Sequence, residues 1–132
     1  MEIKVNEQTQ RFYLAFDEWV PAVGHEIKVG QYRFCAIPSS KFINISEVTS
    51  GVKIINIPLS IELIMVTATK EGTMQFLEKF GESLKRKIES MKDFDEQLAQ
   101  MKKRSLDLLG EMPSIEDVDT DWIFDEVSNV LH

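Results

Sequence analysis

The pattern of hydrophobic and polar positions changes period near Lys70. Before Lys70, apolar and polar residues alternate in short runs that are separated by glycine, proline and serine, which is typical of antiparallel strands. After Lys70, apolar residues recur every three or four positions, which is typical of amphipathic helices. The chain is therefore predicted to be an α+β protein, with an N-terminal antiparallel sheet of five or six strands. A long C-terminal helix or a helical hairpin packs on this sheet, and the chain ends in a short acidic helix.

Gly30 predicts the first β-hairpin. A glycine at the first central position of a two-residue loop suits a type II′ turn, because that position needs a positive φ. The register that follows pairs Val29 with Tyr32 and Ile27 with Phe34. One face of this hairpin is then apolar.

Gly51 predicts a second hairpin, in which it supplies the left-handed residue of a three-residue loop. The expected register places isoleucines opposite each other and joins opposite charges. It pairs Ile43 with Ile57, Ile45 with Ile55 and Glu47 with Lys53.

Two further segments are predicted to be strands. In residues 11–16 the alternation places Phe12, Leu14 and Phe16 on one face. Residues 61–69 are rich in β-branched side chains and are interpreted as another strand after Pro58. Ser60 offers an alternative, because serine is a preferred N-cap and would begin a helix here.

Residues 70–109 carry an apolar stripe with heptad spacing, which we call the heptad stripe. Its members are Leu77, Phe80, Leu84, Met91, Phe94, Leu98, Met101 and Leu108. As one helix this segment would be roughly 60 Å long and would protrude from a domain of this size, offering the stripe for self-association. The D-x-x-E spacing from Asp93 to Glu96 predicts a break instead, because it can cap a new helix. Both forms are kept as predictions, the broken one being favoured.

Gly110 and Pro113 end the helical region. Ser114 or Thr120 is then expected to cap the last helix, which would end near Leu131. Residues 1–110 are predicted to form a single α+β domain, and residues 111–132 an acidic C-terminal helical segment packed on the same domain.

The charge of the chain is strongly segregated. Residues 1–110 contain 15 acidic and 15 basic side chains, whereas residues 111–132 contain seven acidic side chains and neither lysine nor arginine. The whole net charge of -7 therefore lies in the last 22 residues. Because apolar side chains are interspersed there, this segment is predicted to meet a surface that is basic and partly apolar.

The predicted partner-binding residues lie within this acidic segment. They are Asp117, Asp119, Asp121, Trp122, Asp125 and Glu126. The segment has two possible targets: the basic clusters at residues 85–87 and 102–104 of the same chain, or a separate protein. Asp117, Asp121 and Asp125 would form a line of negative charge on a helix, which can imitate a phosphate backbone, as in some small phage-encoded inhibitors.

The sequence contains few residues in the patterns of known catalytic or metal-binding motifs. Cys35 and His25 are the candidate nucleophile and base, but strand alternation points them to opposite faces. Asp117, Asp119 and Asp121 begin like a calcium loop, but the glycine and the bidentate glutamate that such a loop needs are missing. No catalytic residue, metal site or cofactor is predicted, and the chain is expected not to be an enzyme.

The remaining properties bound the function. The longest apolar run is too short to span a bilayer, and the first residues lack the apolar core of a signal peptide, so a cytoplasmic protein without membrane contact is expected. The acidic balance argues against direct nucleic-acid binding, because the net charge repels phosphate. The leading hypothesis is a non-catalytic protein-interaction module, a small acidic regulator or adaptor. It either self-associates as a homodimer through the stripe on its long helix or binds a basic partner through residues 114–131. The alternatives are an inhibitor that mimics nucleic acid and a small enzyme of unknown chemistry.

Overall fold

The computed structural model describes residues 1–119, and these form an antiparallel sheet followed by helices. The predicted α+β class is confirmed. In chain order the elements are β1 (Ile3–Val5), β2 (Gln10–Ala15), β3 (Trp19–Val29), β4 (Tyr32–Pro38), β5 (Phe42–Glu47), β6 (Lys53–Pro58), α1 (Ile61–Val66), α2 (Lys70–Ser90), α3 (Phe94–Leu109) and β7 (Glu116–Asp117).

The strands lie in the order β6-β5-β4-β3-β2-β7, and β1 pairs with β3 beside β2. β3 is long enough to serve two parts of the sheet: its first half pairs with β2, and its second half pairs with β1 and β4. Gly24 lies where β3 changes partners, and a Cβ atom there would overlap the carbonyl oxygen of Ala36. The absence of a side chain at Gly24 therefore permits this close approach of the two strands.

The first predicted hairpin is confirmed. Gly30 has a φ of 60°, and Val29 pairs with Tyr32 and Ile27 with Phe34. β3 extends well beyond this hairpin and begins at Trp19, because its first half pairs with β2.

The second hairpin is confirmed in its isoleucine pairs and wrong near its turn. Ile43 pairs with Ile57 and Ile45 with Ile55, and Gly51 has a φ of 70°. An irregularity between Ile45 and Ser46 shifts the register, so that Lys53 lies opposite Ser46 and not opposite Glu47.

The Glu47 carboxylate instead accepts hydrogen bonds from the turn that follows it. The donors are the Thr49 amide at 3.0 Å, the Thr49 hydroxyl at 2.8 Å and the Ser50 amide at 2.7 Å. Charge-assisted bonds to otherwise unpaired amides are stronger than an exposed ion pair, which accounts for the failed Glu47–Lys53 prediction.

Residues 61–69 do not form a strand. Ser60 caps α1 with its hydroxyl oxygen, which accepts a hydrogen bond from the Leu63 amide at 3.1 Å. The capping alternative was therefore the correct one. Phe16 was also misplaced: β2 ends at Ala15, and Phe16 is exposed in the turn that follows.

The long helical region is broken into two helices, as the favoured form predicted. α2 ends at Ser90, and α3 begins after Asp93. The Asp93 side chain does not cap a backbone amide; it accepts a hydrogen bond from the Gln97 side chain at 3.0 Å. The break is therefore at the predicted place without the predicted capping box.

Both faces of the sheet are buried where β4 crosses it. On one face, Phe34 and Ala36 belong to a core that α2 covers. On the other face, Cys35 and Ile37 contact Phe12 of β2 within a second core. The ribbon formed by β2 and the first half of β3 folds back over that second face, and the Ala15 amide donates to the Gly51 carbonyl at 2.8 Å.

Candidate functional site

The first candidate site is an exposed apolar surface on α1. This helix has the sequence IELIMV, and of its apolar residues Leu63 alone is buried against the core. The α1 surface consists of the four others, with exposed fractions of 78% for Ile61, 53% for Ile64, 71% for Met65 and 46% for Val66. A helix that is apolar on nearly all sides is normally covered, so this surface is a candidate for contact with another segment or molecule.

The strand before α1 is an edge of the sheet. β6 pairs with β5 on one side and has no strand on its other side among residues 1–119. Ile54 and Ile55 on this strand are 40% and 47% exposed. Lys53 and Pro58 bound the strand, and both residue types discourage unwanted pairing at sheet edges. The β6 edge is therefore short and bounded by residues that discourage pairing with another strand. The exposed face of α1, in contrast, is apolar.

A second candidate site is a groove between α3 and the sheet. One cavity of about 320 Å³ is lined by Trp19, Lys102, Leu106 and Met112, among others. Trp19 closes one end, where its indole nitrogen donates to the Gly110 carbonyl at 3.3 Å. Lys103 lies beside Lys102 in this lining, so the charged part of the groove is basic.

A smaller cavity of about 200 Å³ adjoins it near the start of α3. The Tyr32 hydroxyl donates to the Asp95 carboxylate at 2.5 Å, and this bond raises the pKa of Tyr32. The Tyr32 ring also meets the Phe94 ring edge to face at 4.8 Å. These contacts hold the start of α3 against the sheet, so contacts within the chain explain the position of the helix.

Three charged side chains of the sheet, those of Glu26, Arg33 and Glu47, form hydrogen bonds within it. Arg33 donates two hydrogen bonds of 2.9 Å to Glu26, and this bidentate pairing raises the pKa of Arg33. Glu47 is 1% exposed and satisfied by its turn. Both carboxylates are therefore held by hydrogen bonds within the fold.

Cys35 and His25 do not form a catalytic pair. Cys35 lies opposite Glu26, whereas His25 lies opposite Ala36, on the other face of the strand. Burial raises the pKa of the Cys35 thiol to about 12, which keeps it protonated and a poor nucleophile. Burial also lowers the pKa of His25, whose ring nitrogen Nδ1 lies 3.0 Å from the Asn6 carbonyl oxygen.

The first part of the acidic segment is docked on β2. Ile115 packs against the second core, and Glu116 forms a 3.6 Å ion pair with Arg11. Asp117 accepts a hydrogen bond of 3.0 Å from Gln10. Ser114 therefore does not begin a helix: residues 116 and 117 form β7, because a sheet edge was available to pair with them.

This placement changes two predictions. Asp117 lies in a strand, so the proposed line of charge on one helix loses its first member. Within residues 1–119, Glu116 pairs with Arg11 of β2 and not with the basic clusters at 85–87 and 102–104. Asp119 also has an interaction partner. Asp121, Trp122, Asp125 and Glu126, like the proposed cap Thr120, lie outside the described residues.

The heptad stripe is divided between two environments. Leu77 and Leu84 are buried in the core on the inner face of α2, and Phe80 and Phe94 pack against the same core. Met91, Leu98 and Met101 are half-buried, whereas Leu108 is 75% exposed. The first half of the stripe is therefore core of the same chain, and Leu108 at the end of α3 is its most exposed member.

Metal and membrane sites were also sought. Within residues 1–119, no group of three or more His, Cys, Asp or Glu side chains is arranged to hold a metal ion. No helix in that range is long and apolar enough to cross a membrane. Comparison with family models, curated proteins and solved structures yields no match.

Sequence reasoning missed the α1 surface because residues 61–69 were interpreted as a strand. A strand would have placed alternate residues on a buried face. The signal was nevertheless present: a serine cap followed by six residues of which five are apolar predicts a helix with few polar positions.

Proposed function

We propose that this chain is a non-catalytic protein-interaction module, acting as a small acidic regulator or adaptor. The α1 surface is the observation that carries the proposal, because four large apolar side chains there are between 46% and 78% exposed. Interaction sites on proteins are often such patches. The protein partner is expected to present a partly apolar surface to α1.

The charge of the chain favours a partner that is also basic. The net charge of -7 arises from residues 111–132, and Asp121, Asp125 and Glu126 follow the part that is docked on β2. Opposite charges speed the encounter of two proteins and orient them, while buried apolar side chains supply most of the affinity. The acidic residues and the α1 surface would thus have different roles in one interaction.

The state of Cys35 supports a role other than catalysis. A thiol with a pKa of about 12 is almost entirely protonated at neutral pH. His25 is engaged by the Asn6 carbonyl and lies on the other face of β3. Of the two residues that the sequence suggested for catalysis, Cys35 is thus buried and His25 is hydrogen-bonded within the fold.

The test is partner capture with matched surface variants. Met65→Asp places a charge in the α1 surface, and Phe16→Asp places the same charge at a distant exposed position, since Phe16 is 62% exposed. We expect the protein captured by the wild type from a native lysate to be retained by Phe16→Asp and lost with Met65→Asp. Equal capture by both variants would remove the proposal that α1 is the binding surface.

Self-association is a separate arm of the same experiment. Leu108 is the exposed end of the heptad stripe, so Leu108→Asp should lower the mass measured by sedimentation if α3 joins two copies. A wild-type monomer at high concentration would contradict the homodimer.

A further inference from the structure

The described chain ends beside the start of β2, at the edge of the sheet opposite to β6. The Val118 amide donates to the Thr9 carbonyl at 2.9 Å, which fixes the last described residues beside the start of β2. Three residues earlier in the chain, the Asn6 carbonyl meets the His25 ring at 3.0 Å. The positive charge of Lys70, the first residue of α2, is close enough to His25 to lower its pKa.

α1 meets α2 at this same end. A Cβ atom on Gly72, in the first turn of α2, would overlap the carbonyl oxygen of Val66. The last residues of α1 are therefore in contact with the first turn of α2. A series of neighbouring residues therefore leads from Thr9, beside the β7 edge of the sheet, through His25 and Lys70 to α1.

The chain that follows is long enough to reach α1. Residues 120–132 are 13 in number and span up to about 45 Å when extended, or about 20 Å as a helix. The extended length exceeds the roughly 25 Å that five strand spacings of about 5 Å place between β7 and β6, the strand that precedes α1. Reach therefore sets no obstacle to contact within one molecule.

The composition of this segment suits an apolar surface bordered by acids. Trp122, Ile123 and Phe124 are consecutive and large, whereas Asp121 and Asp125 flank them. Glu62 and Glu71 lie on α1 and in the first turn of α2, and they would repel these acids. Binding must then be driven by burial of the apolar side chains, with the acidic ones directed toward solvent.

We propose that residues 120–132 dock on the α1 surface of the same molecule, through Trp122, Ile123 and Phe124. The segment thereby covers the surface that a partner needs. This consequence rests on the proposed function, whereas the docking itself does not. The chain would be autoinhibited until a partner displaces its C-terminal segment.

Disulfide cross-linking tests the docking directly. The full-length variant Met65→Cys/Phe124→Cys is oxidised with glutathione disulfide at low protein concentration, and the products are separated without reductant. Native Cys35 will not interfere, because it is buried and its thiol stays protonated. The matched control is Leu108→Cys/Phe124→Cys, since Leu108 is about as exposed as Met65.

We expect an intramolecular disulfide in the Met65 pair that forms at least tenfold faster than in the Leu108 pair. Equal rates would overturn the proposal, because they would show a segment without a preferred site. Cross-linked dimers that increase with concentration would also overturn it, in favour of a second copy on α1. Absence of any cross-link would assign the surface to a different partner.

Tryptophan fluorescence gives a second measurement in a folded protein. The chain contains two tryptophans, so Trp19→Phe leaves Trp122 as the remaining one. We expect the emission of Trp122 to shift to longer wavelength when Met65→Asp is added, while circular dichroism stays unchanged. An unaltered emission would count against docking on α1.

Partner capture separates this proposal from the proposed function. If both hold, Trp122→Asp/Phe124→Asp should raise capture several-fold, because the α1 surface is uncovered. If docking occurs without a partner role, the cross-link forms and capture stays insensitive to Met65→Asp. If α1 binds a partner without autoinhibition, capture is lost with Met65→Asp and the cross-link does not form.

Discussion

Replacing Glu47 by alanine is expected to destabilise the fold by about 2–3 kcal/mol. Glu47 is 1% exposed, and its carboxylate accepts a hydrogen bond of 2.7 Å from the amide of Ser50, which is 0% exposed. A buried amide left without a partner costs roughly 1–3 kcal/mol. The Thr49 amide and hydroxyl add about 1 kcal/mol or less, because Thr49 is exposed and water replaces the carboxylate there.

The comparison with Lys53→Ala decides between two explanations for Glu47. If Glu47 were paired with Lys53, as alternation along the hairpin predicts, each single substitution would cost a similar amount. In the structure Lys53 lies opposite Ser46, so Lys53→Ala should change the free energy of unfolding by no more than about 0.5 kcal/mol. A double-mutant cycle should therefore give a coupling energy near zero.

Urea unfolding followed by circular dichroism measures these differences. Glu47→Ala should also lower Tm by about 10 °C in a chain of this length. Glu47→Gln is the milder control, because its amide oxygen still accepts from Ser50. A cost below about 0.5 kcal/mol for Glu47→Ala, or a coupling energy equal to its full cost, would refute the assignment of Glu47 to the turn.

Three further predictions address the caps and the two titrating groups. Ser60→Ala and Thr69→Ala should each cost about 1 kcal/mol in urea unfolding, because both hydroxyls accept a backbone amide, whereas Asp93→Ala should cost well under that amount; equal losses at all three would contradict the capping assignment. Since burial raises the pKa of Cys35 from 9.0 to about 12, its contribution to stability is complete below pH 9 and is lost between pH 9 and 12, so the wild type should lose more stability than Cys35→Ala over this range; parallel urea midpoints would refute it. Because burial lowers the pKa of His25 below 6.5, its contribution is present above pH 6.5 and lost on acidification, and His25→Gln should flatten the fall in urea midpoint below that pH; an unchanged slope would count against burial of the neutral ring.

Local patterns in the sequence predicted much of the sheet. Gly30 and Gly51 identified the two hairpins, because positive φ is a local property that glycine tolerates. Isoleucine pairs such as Ile43–Ile57 identified the register. The register near Glu47 was predicted wrongly. Its carboxylate could pair with Lys53 across the hairpin or with amides in the turn, and the alternation of apolar and polar residues does not describe the geometry of that turn.

The candidate site was less accessible to sequence reasoning. Asp117 was expected on a helix, but it pairs with Gln10 across more than a hundred residues of chain. A single sequence does not indicate that β2 has a free edge for it. The α1 surface depended on a local choice between Ser60 as a cap and β-branched residues as a strand, and the hydrogen bond to Leu63 decided it.

The sequence by itself determined the α+β class, the two glycine turns, the helix break near Asp93 and the segregation of charge. These follow from backbone preferences and periodicity, which act over a few residues. The tertiary structure decided the rest: the ribbon that covers the second face of the sheet, the strand formed by residues 116 and 117, and the exposure of α1. Each of these depends on contacts between distant residues, such as Ala15 with Gly51, and their energies are realised once the chain has folded.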